Sequence, residues 1–144
     1  MPFINGKSKT SAIEYGKAFA KTLNGGDVVL LDGQLGAGKT HFAKGVALGL
    51  NISDTITSPT FTLHNILEGG KFTLNHFDFY RLDSEDEALN LGLSEYFGDK
   101  KSVCLIEWWQ NVKGLLPKRV KKVSIKVIDQ NTREVTISDE NFDN

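Results

Sequence analysis

The sequence predicts an α/β fold in which a parallel core of strands is extended by antiparallel strands and flanked by helices. Three observations carry this prediction. Val28–Gly33 and Val103–Trp108 are continuous apolar runs, typical of strands buried on both faces of a sheet. Helical segments separate these two runs, which favours parallel pairing. Two later runs, Val120–Asp129 and Thr132–Ser138, alternate apolar and polar residues and therefore indicate antiparallel strands with one solvated face.

Length and composition are those of one globular domain spanning residues 1–144. The chain has 40% hydrophobic and 24% charged residues and a net charge of −1, so the whole molecule has no strong attraction for nucleic acid or anionic lipid. No apolar stretch approaches about 18 residues, and no signal peptide is recognisable, so we expect a cytoplasmic protein without membrane contact. The one cysteine, Cys104, is expected to be a core residue rather than a reactive thiol.

Several segments can be predicted in the first half of the chain. Apolar and small residues at helical spacing indicate helices, and β-branched runs indicate strands. Paired glycines are expected to end the first helix and to join two strands in a hairpin. In chain order the segments are a helix in Thr10–Asp27 ended by Gly25-Gly26, strand Val28–Gly33, a helix from Lys39, and strands Thr57–Leu67 and Lys71–Leu82 joined by Gly69-Gly70.

The second half is expected to hold a short helix, a buried strand and a terminal hairpin. Ser84 and Glu87 form a capping-box pattern at the start of the helix. Gln130-Asn131 marks the hairpin turn, and the acidic hexapeptide at the carboxyl terminus is expected to fray. Leu115–Lys126 carries five cations and no acid, and it can be interpreted as a solvated strand edge or as a contact surface.

The most informative stretch is Gly33–Thr40, which matches the pattern G-x-x-x-x-G-K-[ST]. It follows a predicted strand and opens a predicted helix, so backbone amides and the helix dipole can surround an anion there. Glycines let N–H groups approach a phosphate chain with no Cβ in the way. The lysine can reach the β- and γ-phosphates, and the hydroxyl can bind Mg²⁺. The residues expected to bind nucleotide here are Gly33, Gly36, Ala37, Gly38, Lys39 and Thr40.

A carboxylate for the metal is expected at the end of the second buried strand. Glu107 follows the apolar run Val103–Ile106, and ligands of open α/β sheets lie at the carboxyl ends of the strands. A carboxylate in that position is costly unless it meets a cation. We therefore interpret Glu107 as a ligand of Mg²⁺ in preference to a structural acid.

Asp78, in the run NHFDFYRL, is the second candidate acid. Strand alternation places His76, Asp78 and Tyr80 on one face. Asp78 could orient an attacking water or support the metal indirectly; the alternative is an aspartate that pairs with Arg81 or caps a turn. For His76, a structural hydrogen bond is at least as good an interpretation as a functional role.

Thr60 lies in TSPTFTL, a hydroxyl-rich loop after the second helix. Loops in that position often sense the γ-phosphate in P-loop enzymes, although Ser-Pro-Thr is also an ordinary turn. The chain contains neither Asn-Lys-x-Asp nor Asp-x-x-Gly, which argues against a GTPase. Its three arginines are few for an enzyme that clamps two phosphorylated substrates, which argues against a small-molecule kinase.

Four motifs occur in the order GQLGAGKT, SPTFTL, HFDFYRL and LIEW. Together they resemble the TsaE (YjeE) family of bacterial P-loop ATPases over nearly the whole chain. The resemblance implies a small P-loop NTPase-like fold, ATP and Mg²⁺ as cofactors, and slow ATP hydrolysis by the protein alone. It also implies TsaD and TsaB as partners in forming N6-threonylcarbamoyladenosine at position 37 of tRNAs that read ANN codons, with tRNA as an indirect partner.

The resemblance also implies roles for residues of this chain. Lys39, Asp78 and Glu107 would be the catalytic residues, and Asp78 would be the acid needed for turnover. Thr40 and Glu107 would be the protein ligands of Mg²⁺. The further residues near the nucleotide would be Thr60 on the γ-phosphate side, Trp108, Arg133, and either Thr10 or Ser11 beside the base.

The chain departs from the family pattern at two positions. Trp109 stands where proline is common, which leaves the geometry of the turn after Glu107 open, and Gln34 stands where aspartate is frequent. Two other functions also stay open at this point. One is a nucleotide-binding regulator without catalysis, and the other is a small-molecule kinase.

Overall fold

The computed structural model describes residues 3–5, 8–33, 38–52, 63–68, 70–129 and 132–142. This part of the chain forms one mixed sheet in the strand order β1-β7-β6-β2-β5-β4-β3. The strands are β1 Phe3–Asn5, β2 Val28–Gly33, β3 His64–Leu67, β4 Thr73–Asp78, β5 Ser102–Glu107, β6 Arg119–Asp129 and β7 Thr132–Asn141. The helices are α1 Ser8–Ala20, α2 Lys39–Gly49 and α3 Glu85–Asn90, with 3₁₀ segments at Leu93–Tyr96 and Trp109–Leu115. None of the described helices combines the length and apolar character that crossing a bilayer requires.

The four central strands, β6, β2, β5 and β4, run parallel, which confirms the predicted core. The strands β7, β1 and β3 extend it antiparallel. Side chains cover both faces of β2. Val29 and Leu31 pack with residues of α1 and α2, whereas Val28 and Leu30 pack on the opposite face with residues of β4 and the second 3₁₀ segment. Burial on both faces explains the continuous apolar run of this strand.

The expectation of a solvated strand edge in Leu115–Lys126 is wrong. The strand β6 is an interior strand that pairs with β2 on one side and β7 on the other. Two of its lysines have acidic partners within reach, which offsets the cost of placing their charges on an interior strand. Lys121 Nζ lies 3.4 Å from Asp139 Oδ1, and Lys122 Nζ lies 3.6 Å from Asp32 Oδ2.

The acidic carboxyl terminus is structured farther than expected. The strand β7 continues to Asn141, and the N–H of Phe142 donates to the carbonyl of Lys118 at 2.7 Å. The Phe142 ring stacks on Trp109, with ring centroids 5.8 Å apart. The expected fraying is therefore wrong as far as Phe142, because one aromatic residue gives the acidic segment a packing partner. The strand β1 and the two 3₁₀ segments were not predicted, since each is short.

Most other local predictions are confirmed. The strands β3 and β4 form the predicted hairpin, although Gly69 of its predicted turn lies outside the described residues. The first helix is present as α1, but the predicted stop at Gly25-Gly26 is wrong, because α1 already ends at Ala20. Ser84 Oγ accepts from the N–H of Glu87 at 3.3 Å, but the Glu87 carboxylate accepts from Asp83 rather than from Ser84. Cys104 is a core residue, and burial with the nearby charge of Asp99 raises the pKa of its thiol to about 12. The predicted turn residues Gln130 and Asn131 lie outside the described residues.

Glycines allow α1 and α2 to pack in backbone contact. A Cβ on Gly45 would overlap the carbonyl oxygen of Ile13, and a Cβ on Gly16 would overlap the carbonyl oxygen of Phe42. Any side chain at either glycine would therefore push the two helix backbones apart.

This contact brings the amino-terminal part of α1 next to the start of α2. A Cβ on Gly38 would lie 3.6 Å from the Cβ of Ala12. Thr10 and Ser11 directly precede Ala12 in α1, and their side chains lie outside the described residues. Helix packing thus brings the part of α1 that holds Thr10 and Ser11 close to Gly38 of the glycine loop. The family resemblance predicts one of these two residues to lie beside the nucleotide base.

Gly45→Ala should destabilise the protein although alanine is the better helix former. The added Cβ forces α1 away from α2, and overpacking of this kind costs about 1–3 kcal/mol, whereas alanine gains only about 1 kcal/mol in helix propensity. Denaturant unfolding measures the difference. Leu48→Ala, on the exposed side of α2, is the control and should change stability little. A Gly45→Ala protein as stable as the wild type would contradict the close helix contact.

Candidate functional site

The carboxyl ends of three parallel strands bring one basic and two acidic side chains to one edge of the sheet. The strand β2 ends at Gly33, and α2 begins at Lys39. In β5, Glu107 lies opposite Leu31 of β2, and in β4, Asp78 lies opposite Glu107. Lys39 Nζ lies 3.6 Å from Glu107 Oε1. The structure therefore brings together Lys39, Asp78 and Glu107, the three residues that the sequence predicted to be catalytic.

Glu107 is a buried carboxylate with a partner at each oxygen. It is 5% exposed, with Lys39 near Oε1 and His76 Nε2 at 2.8 Å from Oε2. Burial alone would raise its pKa, but the hydrogen bond and charge of His76, together with the charge of Lys39, outweigh burial and hold the pKa of Glu107 below its usual value. Glu107 is therefore ionised at neutral pH.

His76 is part of the site through its contact with Glu107. It is fully buried on β4. Because its partner is an ionised carboxylate, Nε2 must carry the hydrogen and donate it. The buried Nδ1 has no hydrogen-bond partner among the described residues. The structural hydrogen bond that the sequence suggested for His76 is therefore present. Its acceptor is Glu107, the candidate metal ligand.

Asp78 adopts the turn-capping arrangement that was its structural alternative. Its Oδ1 accepts from the N–H of Tyr80 at 3.0 Å. Desolvation raises the pKa of Asp78, the hydrogen bond from Tyr80 lowers it, and the nearby charge of Glu107 raises it again, so the net shift is upward. The two neighbouring acids are therefore shifted in opposite directions. Such a separation is the usual way in which a site assigns different protonation states to two carboxyl groups.

Two exposed aromatic rings pack together, and one of them lies beside Lys39. The centroids of the Trp108 and Tyr80 rings are 4.8 Å apart, and Lys39 Nζ lies 5.8 Å from the centroid of Trp108. Trp108 therefore lies beside the lysine of the glycine loop. Tyr80 was not proposed as a site residue, although the strand alternation that groups it with His76 and Asp78 was the signal for it.

The described part of the glycine loop suits an anion. Gly38 has φ +103°, a conformation that favours glycine, and precedes the first residue of α2. Amide groups in the first turn of a helix have no partner within the helix, so they are available to a ligand. Thr40 lies in that first turn. Gly36, Ala37 and Thr60 lie outside the described residues.

Arg133 lies farther along the same edge of the sheet. It is on β7, which β6 separates from β2, and it pairs with Val127 of β6. Its Nη1 donates to the carbonyl of Asp129 at 2.9 Å. The structure thus groups Arg133 with the β6–β7 hairpin rather than with Lys39 and Glu107.

One acid next to the loop was not predicted as part of the site. Asp32 precedes Gly33, and its Oδ1 accepts from Trp109 Nε1 at 2.8 Å. A lone acid at the end of an otherwise apolar strand was the signal for it. In the part of the chain that the structure describes, no three His, Cys, Asp or Glu side chains form a group able to hold a metal ion on their own.

Known proteins resemble this chain in sequence and in fold. Residues 6–135 match the family model described as threonylcarbamoyl adenosine biosynthesis protein TsaE. The chain is 41% identical over 133 residues to the tRNA threonylcarbamoyladenosine biosynthesis protein TsaE of Treponema pallidum, covering 92% of this chain and 96% of that protein. It is 41% identical over 135 residues to the protein of the same name from Bacillus subtilis, covering 94% of this chain and 82% of that protein.

A solved structure also matches the fold. The crystal structure of Bacillus subtilis YdiB superposes with a TM-score of 0.77 and 33% sequence identity, covering 99% of this chain and 88% of that chain. This match confirms the predicted mixed α/β architecture.

Removing the charge of Glu107 should alter how stability depends on pH. Its folded-state pKa lies below the unfolded value, so the ionised group stabilises the fold above about pH 4.3, and this contribution is lost as the pH falls through the lowered folded value. Glu107→Gln lacks the contribution. Its deficit in free energy of unfolding relative to the wild type should therefore shrink as the pH falls below about 4.

Asp78→Asn is the matched comparison, because its stability relative to the wild type should change with pH in the opposite direction. The pKa of Asp78 is raised, so its contribution is present below about pH 3.9 and is lost as the pH rises through the raised folded value. Asp78→Asn should therefore gain stability relative to the wild type as the pH rises. Urea unfolding in buffer without metal or nucleotide, from about pH 3 to about pH 7, measures both variants. Parallel pH profiles for the two would contradict the opposite shifts.

Proposed function

Because the chain belongs to the TsaE family of tRNA threonylcarbamoyladenosine biosynthesis proteins, we propose that it is the ATP-binding and ATP-hydrolysing subunit of a complex that forms this modified adenosine at position 37 of tRNAs reading ANN codons. The observation that carries the proposal is the convergence of Lys39 and ionised Glu107 beside the glycine loop. A cation at a helix start and an acid on the neighbouring strand suit a triphosphate with its metal. TsaD and TsaB are the proposed partners, with tRNA reached through them in the cytoplasm.

The described residues fit ATP and Mg²⁺ as cofactors. Gly38 leaves the start of α2 without a side chain, and the side chain of Lys39 keeps 15% of its surface exposed. The Thr40 hydroxyl and the Glu107 carboxylate supply oxygen ligands, which Mg²⁺ prefers and combines with phosphate oxygens. We assign phosphate binding to Gly33–Thr40 and metal binding to Thr40 and Glu107.

Lys39 and His76 have different tasks in this mechanism. The 3.6 Å distance from Lys39 to Glu107 is longer than a direct hydrogen bond, so Lys39 can turn towards a phosphate without breaking a short contact. His76 holds Oε2 of Glu107 and leaves Oε1 for the metal. Bound Mg²⁺ would neutralise charge on the β- and γ-phosphate oxygens.

Asp78 is the proposed acid for turnover. Its Oδ1 is held by the N–H of Tyr80, which orients the carboxyl group. Its raised pKa makes it a better proton acceptor than an ordinary surface aspartate, as positioning of an attacking water requires. Lys39, Asp78 and Glu107 are thus the proposed catalytic residues.

Lys39→Ala should weaken the binding of Mg²⁺-ATP by about tenfold or more, because it removes a charge directed at the phosphates. Titration with a fluorescent ATP analogue measures the affinity. Lys44→Ala, on the same helix but about one turn farther from the loop, should bind as the wild type does. Thermal melting of both variants separates loss of binding from loss of fold. Unchanged affinity in Lys39→Ala would refute the phosphate-binding assignment.

Partner proteins should stimulate ATP hydrolysis. Phosphate release should be slow for the chain alone and at least about tenfold faster with TsaD, TsaB and tRNA, because partner binding completes the site. Asp78→Ala and Glu107→Ala should reduce the stimulated rate by about 100-fold. Fast hydrolysis that ignores the partners would contradict the subunit role. Full biosynthetic activity in both acid variants would indicate a regulator without catalysis, and phosphate transfer to a metabolite would indicate a kinase.

A further inference from the structure

Trp109 connects the turn that follows β5 to the strand that leads into the glycine loop. It is 8% exposed, and its Nε1 donates to Asp32 Oδ1 at 2.8 Å. One face of its ring stacks on Phe142, with the ring planes 23° apart. Lys122 Nζ lies 5.4 Å from the centroid of the ring and 3.6 Å from Asp32 Oδ2. The indole is therefore fixed by packing and by a hydrogen bond to one defined acceptor.

This hydrogen bond begins where the backbone pairing of the two strands stops. The register of β2 with β5 ends at Leu31 opposite Glu107. One residue later on each strand the chains part, since Asp32 continues towards the loop and Trp108 enters the turn. The side chains of Asp32 and Trp109 thus join the two segments directly beyond the last paired residues.

The turn itself has an uncommon backbone conformation. Trp108 has φ +57° and ψ 40°, a left-handed conformation that bulky residues adopt only where the surrounding structure imposes it. On one side of Trp108, the carbonyl of Glu107 accepts from the N–H of Phe79 at 3.1 Å. On the other side, the hydrogen bond from Trp109 to Asp32 holds the chain. Gln110 Nε2 adds a second hydrogen bond to Asp32 Oδ1 at 3.3 Å, and Asn111 Nδ2 donates to the carbonyl of Phe79 at 2.7 Å. Together these contacts hold the turn that carries Glu107 and Trp108.

We propose that Trp109 is a positioning residue whose hydrogen bond to Asp32 holds Glu107 in register with the end of β2 and the start of α2, so that Thr40 and the carboxylate act on the same metal ion. The proposal rests on the function proposed above, the binding of Mg²⁺-ATP. Among the described residues, the polar and aromatic contacts of Trp109 are with Asp32, Phe142 and Lys122, and none is with Lys39 or Glu107. Its effect should therefore be confined to the part of nucleotide affinity that depends on the metal.

The test compares nucleotide affinity with Mg²⁺ and with EDTA in three variants. Trp109→Phe keeps the stacked ring and removes the N–H, Asp32→Ala removes the acceptor, and Asp32→Asn keeps an acceptor oxygen. Trp109→Phe should reduce the gain in affinity that Mg²⁺ provides by about 3- to 10-fold, the effect of one hydrogen bond. Asp32→Ala should reduce it at least as much, because it also removes the acceptor of Gln110 and the partner of Lys122. The double variant should lose no more than Asp32→Ala alone, and Asp32→Asn should be close to the wild type.

Phe142→Leu is the control for packing. It removes the aromatic stack under Trp109 and leaves the indole N–H in place, so it should lower the melting temperature without changing the Mg²⁺ gain. If Trp109→Phe behaved like Phe142→Leu, or if the losses in the double variant were additive, the positioning role would be overturned.

A second readout needs no nucleotide. The chain has two tryptophans, so its amide NMR spectrum contains two indole N–H signals. The signal of Trp109 should exchange slowly with solvent, and that of Trp108, which is 45% exposed, should exchange fast. Asp32→Ala should abolish the protection. Fast exchange of both signals in the wild type would overturn the inferred hydrogen bond. If the wild type showed the protected Trp109 signal but bound no nucleotide, the proposed function and the positioning role would both be refuted. The hydrogen bond itself would still be established.

Discussion

The site depends on one buried carboxylate that stays ionised. Removing a charged group from water costs several kcal/mol unless other groups compensate for it, and Glu107 is compensated by Lys39 and His76. The three residues belong to β5, α2 and β4. The cluster that arranges the chemistry therefore also joins two central strands to the helix that follows the glycine loop. Separating these elements would leave a buried charge without a partner, so the sheet edge and the site are stable only together.

The exposed and buried halves of the site have different chemistry. Glu107 and His76 are removed from water, whereas Trp108 and Tyr80 present aromatic surface to it. Lys39 lies between the two halves, in contact with the carboxylate and near the Trp108 ring. Asp78 is half-buried at the same boundary, which is why its pKa responds to desolvation and to the charge of Glu107. A group that binds here would meet fixed charges on one side and a solvated opening on the other.

The features that the sequence predicted correctly are local in the chain. The apolar runs of β2 and β5 and the glycine pattern each lie within a few residues, and they were enough to predict the parallel core and the loop. The contacts that shape the site are not local. His76 and Glu107 are 31 residues apart, and Asp32 and Trp109 are 77 apart. Strand alternation shows the face on which a side chain lies but not its partner. The run of cations in β6 likewise led to the wrong prediction of a strand at the edge of the sheet, because composition does not show which strands lie on either side of it.

The strand order has a consequence for how this protein is made. The strand β2 is synthesised well before its neighbours in the sheet, β5 and β6, which begin at Ser102 and Arg119. Until β5 has been synthesised, the nascent chain therefore carries an apolar strand with both edges unpaired, which is a template for aggregation. During that interval α1 and α2 can cover one face of β2 and residues of β4 can cover the other, but none of these elements pairs with its edges. Cotranslational protection of β2, by those helices or by a chaperone, is thus a requirement that the topology imposes.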